Sequence, residues 1–513
     1  MSNTAVEFGQ HRLTIEDIVA IAREGKPVAL TEQSDFAEKI DSAVKFLDTL
    51  LEEDGVIYGV TTGYGDSVTV DIPLELVNEL PLHLTRFHGC GLGDYFTPEQ
   101  GKAILAVRLA SLSQGFSGVD WPMLKLLVEF INQDVIPLIP QEGSVGASGD
   151  LTPLSYVAGA LVGERDVYFK GEVKPSHEVL KALNLTPIKL RPKEGLAIMN
   201  GTAVMTAIAC LAYQRAEYAA KLATRITAMA SVALQGNSHH FDEILFSVKP
   251  HQGQQQIATW IRNDLQHVEH PRNADRLQDR YSIRCAPHVI GVLQDSLPFF
   301  RNMIENELNS ANDNPIIDGR GEHVLHGGHF YGGHIAMAMD SLKTAVANLA
   351  DLADRQIASL VDTRYNNGLP SNLSASCEQR RFINHGFKAV QIGASAYTAE
   401  ALKLTMPASV FSRSTECHNQ DKVSMGTIAA RDALRVLQLT EQVLASALLV
   451  TVQGMRLRID RDEVKISTLS SELQAMYQDV VSFFPNLVED RPLESTLRKT
   501  VAHIQQQHWS LYE

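Results

Sequence analysis

The chain has 513 residues, of which 44% are hydrophobic, so it can bury a large core, and its length predicts about two to four domains. Its formal net charge of −15, without any basic run, argues against nucleic acid and anionic membranes as partners. Five scattered cysteines with no Cys-x-x-Cys spacing predict reduced thiols rather than a disulfide or zinc framework.

The first 55 residues are predicted to form short helices, and Thr14-Ile-Glu-Asp has the composition of a capped helix start. No basic segment precedes an apolar one within residues 1–12, which predicts no signal peptide and a cytoplasmic location. The most apolar stretch, Val443–Val452, is too short to span a bilayer. We therefore expect no membrane association.

A glycine-punctuated loop follows at Ile57–Asp66, with the sequence Ile-Tyr-Gly-Val-Thr-Thr-Gly-Tyr-Gly-Asp. It contains few helix formers, and a tyrosine held between glycines is an unusual component of a surface turn. Tyr58 is therefore either a packed aromatic side chain or a functional one. Helices are predicted next, over residues 73–90, 98–114 and 121–133.

The run Gly143–Leu154, Gly-Ser-Val-Gly-Ala-Ser-Gly-Asp-Leu-Thr-Pro-Leu, places three glycines before a helix start. Thr152 is predicted to be the N-cap of a helix over residues 154–162, with Pro153 at its first position. The run lacks the Gly-Lys-Ser/Thr of a P-loop and the spacing of a dinucleotide-binding turn. A generic glycine-rich turn is the remaining alternative.

The tripeptide Ala147-Ser148-Gly149 within this run has a chemistry of its own. Gly149 has no side chain, so its amide nitrogen can approach the Ala147 carbonyl where the backbone bends tightly. Closing that ring and losing two waters, one of them from the Ser148 hydroxyl, leaves a methylidene conjugated to an imidazolone. That product is an electrophile, which no ordinary side chain provides.

Long helices are predicted beyond a short hairpin at Val167–Val173. Apolar residues recur at three- and four-residue steps over residues 204–232, 335–360 and 434–448. The first stripe is interrupted at Arg215, and the last helix is predicted to stop at Gly454. Helices of this length need a bundle to bury their stripes.

The predicted fold is mainly α, with two domains. Residues 1–200 form a loop-rich, mostly helical N-terminal domain that carries the Gly143–Leu154 run. Residues 201–513 form a central long-helix bundle with a C-terminal helical segment.

Six further segments combine residue types that suit catalysis or binding. They are Phe87-His88, Leu196–Thr202 with Asn200, Gln278–His288 with Tyr281 and Arg284, Asn312–Pro315, Gly327–Gly332 and Glu416–Met425. Each has an ordinary explanation when taken alone. Asn-Gly is a turn signal, for example, and an isolated arginine most often belongs to a surface ion pair.

Together, these segments and the Gly143–Leu154 run resemble the MIO-dependent aromatic amino acid ammonia-lyase family, which acts on histidine, phenylalanine or tyrosine. The chain is most similar to bacterial tyrosine or phenylalanine members. The resemblance implies a methylidene-imidazolone group (MIO) formed autocatalytically from Ala147-Ser148-Gly149, with no external cofactor. It also implies a homotetramer in which each site is built from three subunits.

The resemblance further implies which residues carry out a non-oxidative deamination. Tyr58 is the expected base for the β-proton, and a positive environment has to lower its pKa. Arg284 is expected to hold the substrate carboxylate, with Tyr281 one helical turn earlier as a second catalytic tyrosine. Asn200 is expected to donate to the carbonyl of the MIO group.

Other residues are implied to line the substrate site: Gln278, Asn314 and Phe330. The two asparagines of the Asn312–Pro315 segment also suit a structural role. The chain departs from the family's Gly-Gly-Asn-Phe-His-Gly at His329 and Tyr331, which alters the local hydrogen bonding.

Two places are implied to select the substrate side chain. Phe87-His88 is a hybrid, because histidine members resemble Ser-His here, tyrosine members His-Leu and phenylalanine members Phe-Leu. Histidine members carry glutamate where Gln420 stands, and phenylalanine members also carry glutamate at the position of Glu416. We therefore expect tyrosine ahead of phenylalanine, giving coumarate or cinnamate and ammonia, with histidine third. A histidine ammonia-lyase giving urocanate is the alternative.

Two other function classes share these motifs or this composition. An MIO-type 2,3-aminomutase returns the ammonia to the β-carbon, and a silent helical scaffold has no reaction. Neither His239-His240 nor the histidines of His323–His334 are set at metal-ligand steps, so no metal site is predicted. The expected partners are the small aromatic substrate and further copies of the chain.

Overall fold

The computed structural model describes residues 4–53, 55–266 and 277–513, and helices make up 59% of the protein. This confirms the predicted mainly α fold. Two compact units divide the chain: residues 1–214, 301–340 and 407–431 form the first, and residues 215–300, 341–406 and 432–513 form the second. Four of the five unit boundaries fall inside long helices, and the predicted division after residue 200 stays a prediction.

The N-terminal part of the first unit consists of short and medium helices. Their bounds are Ile15–Glu24, Ser34–Glu52, Leu80–Phe87, Pro98–Leu112, Trp121–Asn132, Leu151–Leu161, Ser176–Ala182 and Glu194–Met199. Thr14 caps the first of them in a reciprocal capping box with Asp17, which confirms the predicted helix start. Pro98–Leu112 is buried on every side from Gly101 onward, so it forms the core of this part of the unit.

Short strands complete the first unit. Val6–Phe8 pairs in parallel with Val28–Leu30, Leu92–Tyr95 pairs antiparallel with Pro140–Glu142, and Ile316–Asp318 forms a hairpin with His323–Leu325. A three-stranded antiparallel sheet has the order Ile136–Pro137, Asp166–Phe169, Glu172–Pro175. The last two strands are the predicted hairpin, and its turn residues Lys170 and Gly171 both have positive φ.

Four long helices follow in the chain, at Ala203–Ala233, Ala286–Leu308, Gly333–Val361 and Gly426–Asp460. The second of them was not predicted. The shorter helices of the second unit are Glu243–Ser247, Gln252–Leu265, Tyr281–Arg284, Lys388–Lys403, Ser471–Phe483 and Glu494–Gln505. Turns of 3₁₀ helix occur at Gly65–Thr69, Leu74–Leu76, Ser238–Phe241, Ser371–Leu373, Ala408–Phe411 and Ile466–Thr468.

The last long helix does not stop at Gly454, as its sequence predicted, but continues to Asp460. A Cβ on Gly454 would lie 3.1 Å from the Ala233 Cβ and 3.5 Å from a methyl carbon of Leu360. This glycine therefore allows three helices to approach closely instead of ending one of them.

Arg215, which interrupts the first apolar stripe, forms a two-bond ion pair with Glu441 at 2.8 and 2.7 Å. The Glu441 side chain is 2% exposed and that of Arg215 is 13% exposed. A buried arginine needs such a planar partner, so the break in the stripe marks a polar contact within the second unit.

Helix Gly426–Asp460 is the one helix of the described residues that is long and apolar enough to cross a membrane. Of its most apolar 18-residue window, 83% is buried inside the fold. A core helix has the same length and composition, and this burial matches that explanation.

All five cysteines are free thiols, which agrees with the predicted reduced state. Cys90, Cys377 and Cys417 are exposed, Cys285 is half-buried and Cys210 is buried.

Candidate active site

The Ala147-Ser148-Gly149 tripeptide lies in a loop of the first unit that a later segment holds in place. The Met425 amide donates to the Val145 carbonyl at 3.0 Å. The Ser424 hydroxyl donates to the Gly146 carbonyl at 3.3 Å. Residues 424–425 therefore fix the backbone on the N-terminal side of the tripeptide.

Gly149 has φ +72° and forms a backbone bridge with Gly201. A Cβ on Gly149 would lie 2.1 Å from the Gly201 carbonyl oxygen, so no other residue fits there. The next amide, that of Asp150, donates to the same oxygen at 2.8 Å. A left-handed glycine at the third position gives the sharp bend that ring closure requires, and the tripeptide fits the predicted MIO group.

The helix after the tripeptide begins at Leu151, three residues before the predicted start. Asp150, not Thr152, occupies the N-cap position, and its side chain makes no capping bond within that helix. The prediction was wrong because the Asp150 carboxylate caps a different helix.

Asp150 is fully buried and accepts the Val204 and Met205 amides, both at 3.0 Å, at the start of Ala203–Ala233. It also accepts the hydroxyl groups of Ser144, at 3.1 Å, and Thr427. Burial raises the pKa of Asp150 to about 6, although these four donors act in the opposite direction. One carboxylate thus ties the tripeptide loop, the long helix and the 424–427 segment together.

Asn200 precedes Gly201 and is 3% exposed, with an Oδ1 that has no hydrogen-bond partner among the described residues. Its backbone carbonyl accepts Arg108 Nη2 at 3.1 Å. The buried Arg108 also binds the carbonyls of Ala197 and Asn312. A buried amide oxygen without a partner costs stability, so this side chain is held for something other than packing.

Sequence reasoning missed Arg108, which lies in the buried face of Pro98–Leu112. Burial lowers its pKa to about 10, while Asp313 and Asp150 raise it. Its carbonyl partners come from chain segments far away in sequence, and a lone arginine in an apolar helix was the only signal available.

The Asn312–Pro315 segment has a clear structural role. Lys193 and Asp313 form an ion pair at 2.6 Å in which both side chains are 0% exposed. Asn314 Oδ1 accepts the Gly327 amide at 2.9 Å, and Asn312 Nδ2 donates to Glu307 at 3.0 Å. These contacts join neighbouring loops, and removing one partner of the buried pair would leave an uncompensated charge.

Tyr58 lies in the predicted loop, half-buried, and its hydroxyl accepts the Gly65 amide at 2.8 Å. Burial raises the pKa of Tyr58, the Gly65 amide lowers it and the Glu416 carboxylate raises it. This direction is opposite to the lowered value that a base requires. Arg284, which is expected to hold the substrate carboxylate, belongs to the other unit.

The segment Thr415–Gln420 contacts both the tyrosine loop and the tripeptide. Glu416 accepts the Asp66 amide at 2.9 and 3.1 Å. Gln420 Nε2 donates to Ser148 Oγ at 3.3 Å, and Thr415 Oγ1 donates to Gln420 Oε1 at 2.9 Å. The second bond fixes the amide orientation, so that the NH₂ of Gln420 faces the tripeptide.

Phe87-His88 stands at the end of helix Leu80–Phe87, with the two rings 4.3 Å apart. His88 Nδ1 lies 3.1 Å from the Leu84 carbonyl oxygen, which only accepts, so this nitrogen carries the proton. Burial lowers the pKa of His88, although the bond to Leu84 raises it. A neutral His88 therefore presents Nε2 as a hydrogen-bond acceptor.

Phe330 is half-buried in the turn before helix Gly333–Val361, between the exposed residues His329 and Tyr331. The Tyr331 amide donates to the Gly328 carbonyl at 2.9 Å and closes this turn. The two departures from the family sequence are therefore solvent-facing side chains.

Gln278, Tyr281 and Arg284 lie in the second unit, beside an open cavity of about 580 Å³. The guanidinium of Arg284 lies 4.6 Å from the Tyr281 ring centroid, which matches the predicted shared face of one helical turn. Arg284 Nε donates to the Asp279 carbonyl at 2.9 Å, and Tyr281 is 72% exposed.

The comparisons with known proteins agree on one family. The sequence model of the aromatic amino acid lyase family matches residues 13–482. A human histidine ammonia-lyase is 37% identical over 458 residues, 88% of this chain and 69% of that protein. The histidine ammonia-lyase of Gloeobacter violaceus is 37% identical over 95% of this chain and 93% of its own.

Among solved structures, tyrosine aminomutase from Streptomyces globisporus superposes with a TM-score of 0.91 at 32% identity, over 98% of this chain and 97% of that one. These matches confirm the family resemblance and the helical fold. They do not support the predicted preference for tyrosine or phenylalanine, because the curated relatives are histidine ammonia-lyases.

Proposed function

Because the chain belongs to the aromatic amino acid lyase family, we propose that it eliminates ammonia from L-histidine to give trans-urocanate. It is a carbon–nitrogen lyase, and its substrate is an amino acid. The similarity to histidine ammonia-lyases over most of the chain supports histidine, and so does His88, the residue shared with the histidine-selective pattern. We also propose a cytoplasmic location.

The hydrogen bonds of His88 carry this choice of substrate. The neutral imidazole of a substrate histidine has one N–H donor and one acceptor nitrogen. In the proposed site, His88 Nε2 accepts a hydrogen bond from that N–H, because His88 Nδ1 already donates to Leu84. Gln420 is fixed with its NH₂ toward Ser148, and the hydroxyl that it now binds is lost when the ring closes. The freed N–H of Gln420 then donates to the acceptor nitrogen of the substrate.

The family depends on MIO, which forms autocatalytically and needs no external cofactor. Once formed, the MIO group would supply an electrophile for the substrate amine. The residues that would hold it are those around the tripeptide: Gly201 beside its third residue, and Asn200, whose buried side-chain oxygen has no hydrogen-bond partner among the described residues and whose NH₂ would donate to the carbonyl of the group.

Tyr58 is our proposed base, and Arg284 our proposed carboxylate clamp. The phenolate of Tyr58 removes the β-proton, and the planar guanidinium of Arg284 binds the substrate carboxylate through two parallel bonds. Tyr281 stacks on Arg284 and orients it. Gln278, Asn314, Phe330, Phe87 and Glu416 complete the proposed site as positioning residues.

We propose that the chain works as a homotetramer whose sites are shared between subunits. Tyr281 is 72% exposed, and among the described residues Arg284 donates through Nε to the Asp279 carbonyl, which suits two residues that complete the site of another subunit. A neighbouring subunit that brings Arg284 to Tyr58 would also lower the pKa of that tyrosine, as the base requires.

Tyrosine is the second candidate substrate, because its hydroxyl also donates to His88 and because Gln420 is neutral. A third possibility is an aminomutase reaction, because the chain is similar to tyrosine aminomutase.

These cases can be separated by incubating the purified protein with histidine, tyrosine and phenylalanine in turn. The products to measure are ammonia, arylacrylate and β-amino acid. We expect urocanate and ammonia in equal amounts. Faster coumarate formation would refute the histidine assignment, and a β-amino acid product would refute the lyase assignment.

His88→Leu is expected to reduce kcat/KM for histidine by at least about tenfold (~1.4 kcal/mol), because the substrate N–H loses its acceptor in a buried site. Phenylalanine, which has no side-chain donor, should gain relative to histidine. Steady-state rates on both substrates measure this ratio. The matched control is His83→Leu, an exposed histidine of the same helix, which should leave the ratio unchanged. An unchanged ratio in His88→Leu would remove His88 from substrate selection.

Arg284→Lys is expected to lower kcat/KM by about 100-fold (~2.7 kcal/mol), chiefly through KM, because an ammonium cannot reproduce two parallel bonds to a carboxylate. The control is Arg498→Lys, whose side chain is 78% exposed in a surface ion pair with Glu494. The concentration dependence of ammonia release separates KM from kcat. If Arg284→Lys kept the wild-type specificity constant, another residue would hold the carboxylate.

A further inference from the structure

We propose that Asp479, His503 and His508 bind a divalent transition-metal ion, of the Zn²⁺ class, at the C-terminal end of the chain. One ligand atom of each residue lies within 4.8 Å of the other two. Two imidazoles and one carboxylate form a ligand set that Zn²⁺ and its first-row neighbours prefer. The site lies within the second unit and is independent of the proposed reaction.

The two histidines are brought together by the way that helix Glu494–Gln505 ends. Gln507 adopts a left-handed conformation, with φ +53°. The His508 amide then donates to the His503 carbonyl at 2.9 Å, a closing bond typical of helix C-termini. This reversal stacks the two imidazole rings 4.3 Å apart, although they are five positions apart in the sequence.

The carboxylate comes from the preceding helix, Ser471–Phe483, and is already oriented. Asp479 Oδ2 accepts Trp509 Nε1 at 2.9 Å and lies 3.3 Å from His508 Nε2. Trp509 is buried, and its backbone is held by the Tyr218 hydroxyl at 3.1 and 3.3 Å. A ligand whose orientation is set by such an outer hydrogen bond is characteristic of metal sites.

His503 offers the third ligand atom. Its Nδ1 is buried and has no hydrogen-bond partner among the described residues. An imidazole nitrogen in that position costs stability unless something binds it. A metal ion bound to a ring nitrogen of His503 would complete the ligand set.

The dimensions suit an ion after a small adjustment. Zn–N and Zn–O bonds of about 2.0–2.2 Å place tetrahedral ligands roughly 3.3–3.6 Å apart. The His508–Asp479 pair has this spacing, at 3.3 Å. His503, whose ligand atom lies within 4.8 Å of the other two, has to move closer to reach the same spacing. Water would occupy the fourth position.

Such an ion would join helices Ser471–Phe483 and Glu494–Gln505 and the segment that contains Trp509, so its expected role is structural. The sequence offered no sign of it. Asp479 and His503 are far apart in the chain, and a five-residue step between histidines is not a ligand spacing on one helix face.

The test titrates the purified full-length protein, freed of metal with EDTA, with Zn²⁺ by calorimetry and with Co²⁺ by visible absorption. We expect one ion per chain, a tetrahedral Co²⁺ spectrum and a melting temperature that rises with Zn²⁺. His503→Gln, His508→Gln and Asp479→Asn should each weaken binding at least tenfold and abolish that rise. Ammonia release should be the same with and without Zn²⁺.

The matched control is His385→Gln. His385 forms an exposed pair with Asp490 at 3.6 Å and thus resembles half of the proposed site. This variant should bind Zn²⁺ as the wild type does. No bound ion in the wild type, or equal affinity in His508→Gln and the wild type, would overturn the proposal. Because His508 is exposed, that variant decides the question even if substitution of His503 or Asp479 impairs folding.

Discussion

Ser148→Ala is expected to abolish ammonia release, by more than about 1,000-fold (~4 kcal/mol in the barrier), and to restore the translated mass of the chain. Alanine has no hydroxyl to eliminate, so the methylidene and the conjugation that stabilises the dehydrated ring cannot form, and the tripeptide should remain linear. Intact-mass spectrometry measures the change in mass directly, because the wild-type chain should be two waters lighter than translated. Tryptic mapping should place the deficit in the peptide that contains Ser148.

Ser155→Ala is the matched control for that variant. Ser155 lies in the adjoining helix Leu151–Leu161, and its hydroxyl donates only to the Thr152 carbonyl, at 2.6 Å. This variant should retain both the mass deficit and the activity. The fold of Ser148→Ala should also survive, because Ser148 is half-buried and loses one 3.3 Å bond from Gln420. Wild-type turnover by Ser148→Ala, or a wild-type protein of full translated mass, would refute the role of the tripeptide.

The start of the helix after the tripeptide shows what local sequence rules can predict: they selected Thr152 as the N-cap, and the structure has Asp150 there. The sequence placed the tripeptide before a helix start, and the structure confirms that order. The rules for capping chose Thr152, since threonine followed by proline is a common start. They could not foresee that Asp150 would bind amides of Val204 and Met205, more than fifty residues later.

Buried charges are the part of the site that sequence patterns do not reveal. Arg108 and the Lys193–Asp313 pair are buried among the loops that surround Asn200 and the tripeptide. Each buried charge is compensated by a partner from a distant segment of the chain. A single sequence does not show that these distant segments lie close together. Three of the four long helices, in contrast, were predictable because their apolar faces repeat locally.

Substrate choice was the prediction that the comparisons did not support. It rested on Gln420 as a residue that cannot pair with a charged imidazole. The structure shows Gln420 as an oriented donor, held by Thr415, and His88 as a neutral acceptor. A neutral imidazole can pair with both, so the identity of one residue is a weaker guide than the direction of its hydrogen bonds.

Tyr58→Phe is expected to retain the two-water mass deficit and lose about 100- to 10,000-fold in kcat, the usual contribution of a positioned base. Ring closure involves Ala147-Ser148-Gly149 and does not need the phenol. Phenylalanine keeps the aromatic ring and removes only the oxygen that accepts the Gly65 amide, at a cost of about 1 kcal/mol in stability. Mass, circular dichroism and single-turnover rates on the same preparation separate these effects.

Tyr64→Phe supplies the matched control, because Tyr64 lies in the same loop and has its pKa raised by burial and by Tyr58. We expect near wild-type rates from it.

The pH dependence of kcat/KM adds a second criterion. A phenolate base makes kcat/KM rise with pH until Tyr58 is ionised. Burial and Glu416 raise the pKa of Tyr58 within one chain, and Arg284 of a neighbouring subunit in the proposed tetramer would lower it. The rising limb of the pH profile should vanish in Tyr58→Phe and persist in Tyr64→Phe. A Tyr58→Phe rate within about tenfold of the wild type (~1.4 kcal/mol), with the limb intact, would show that another group removes the β-proton.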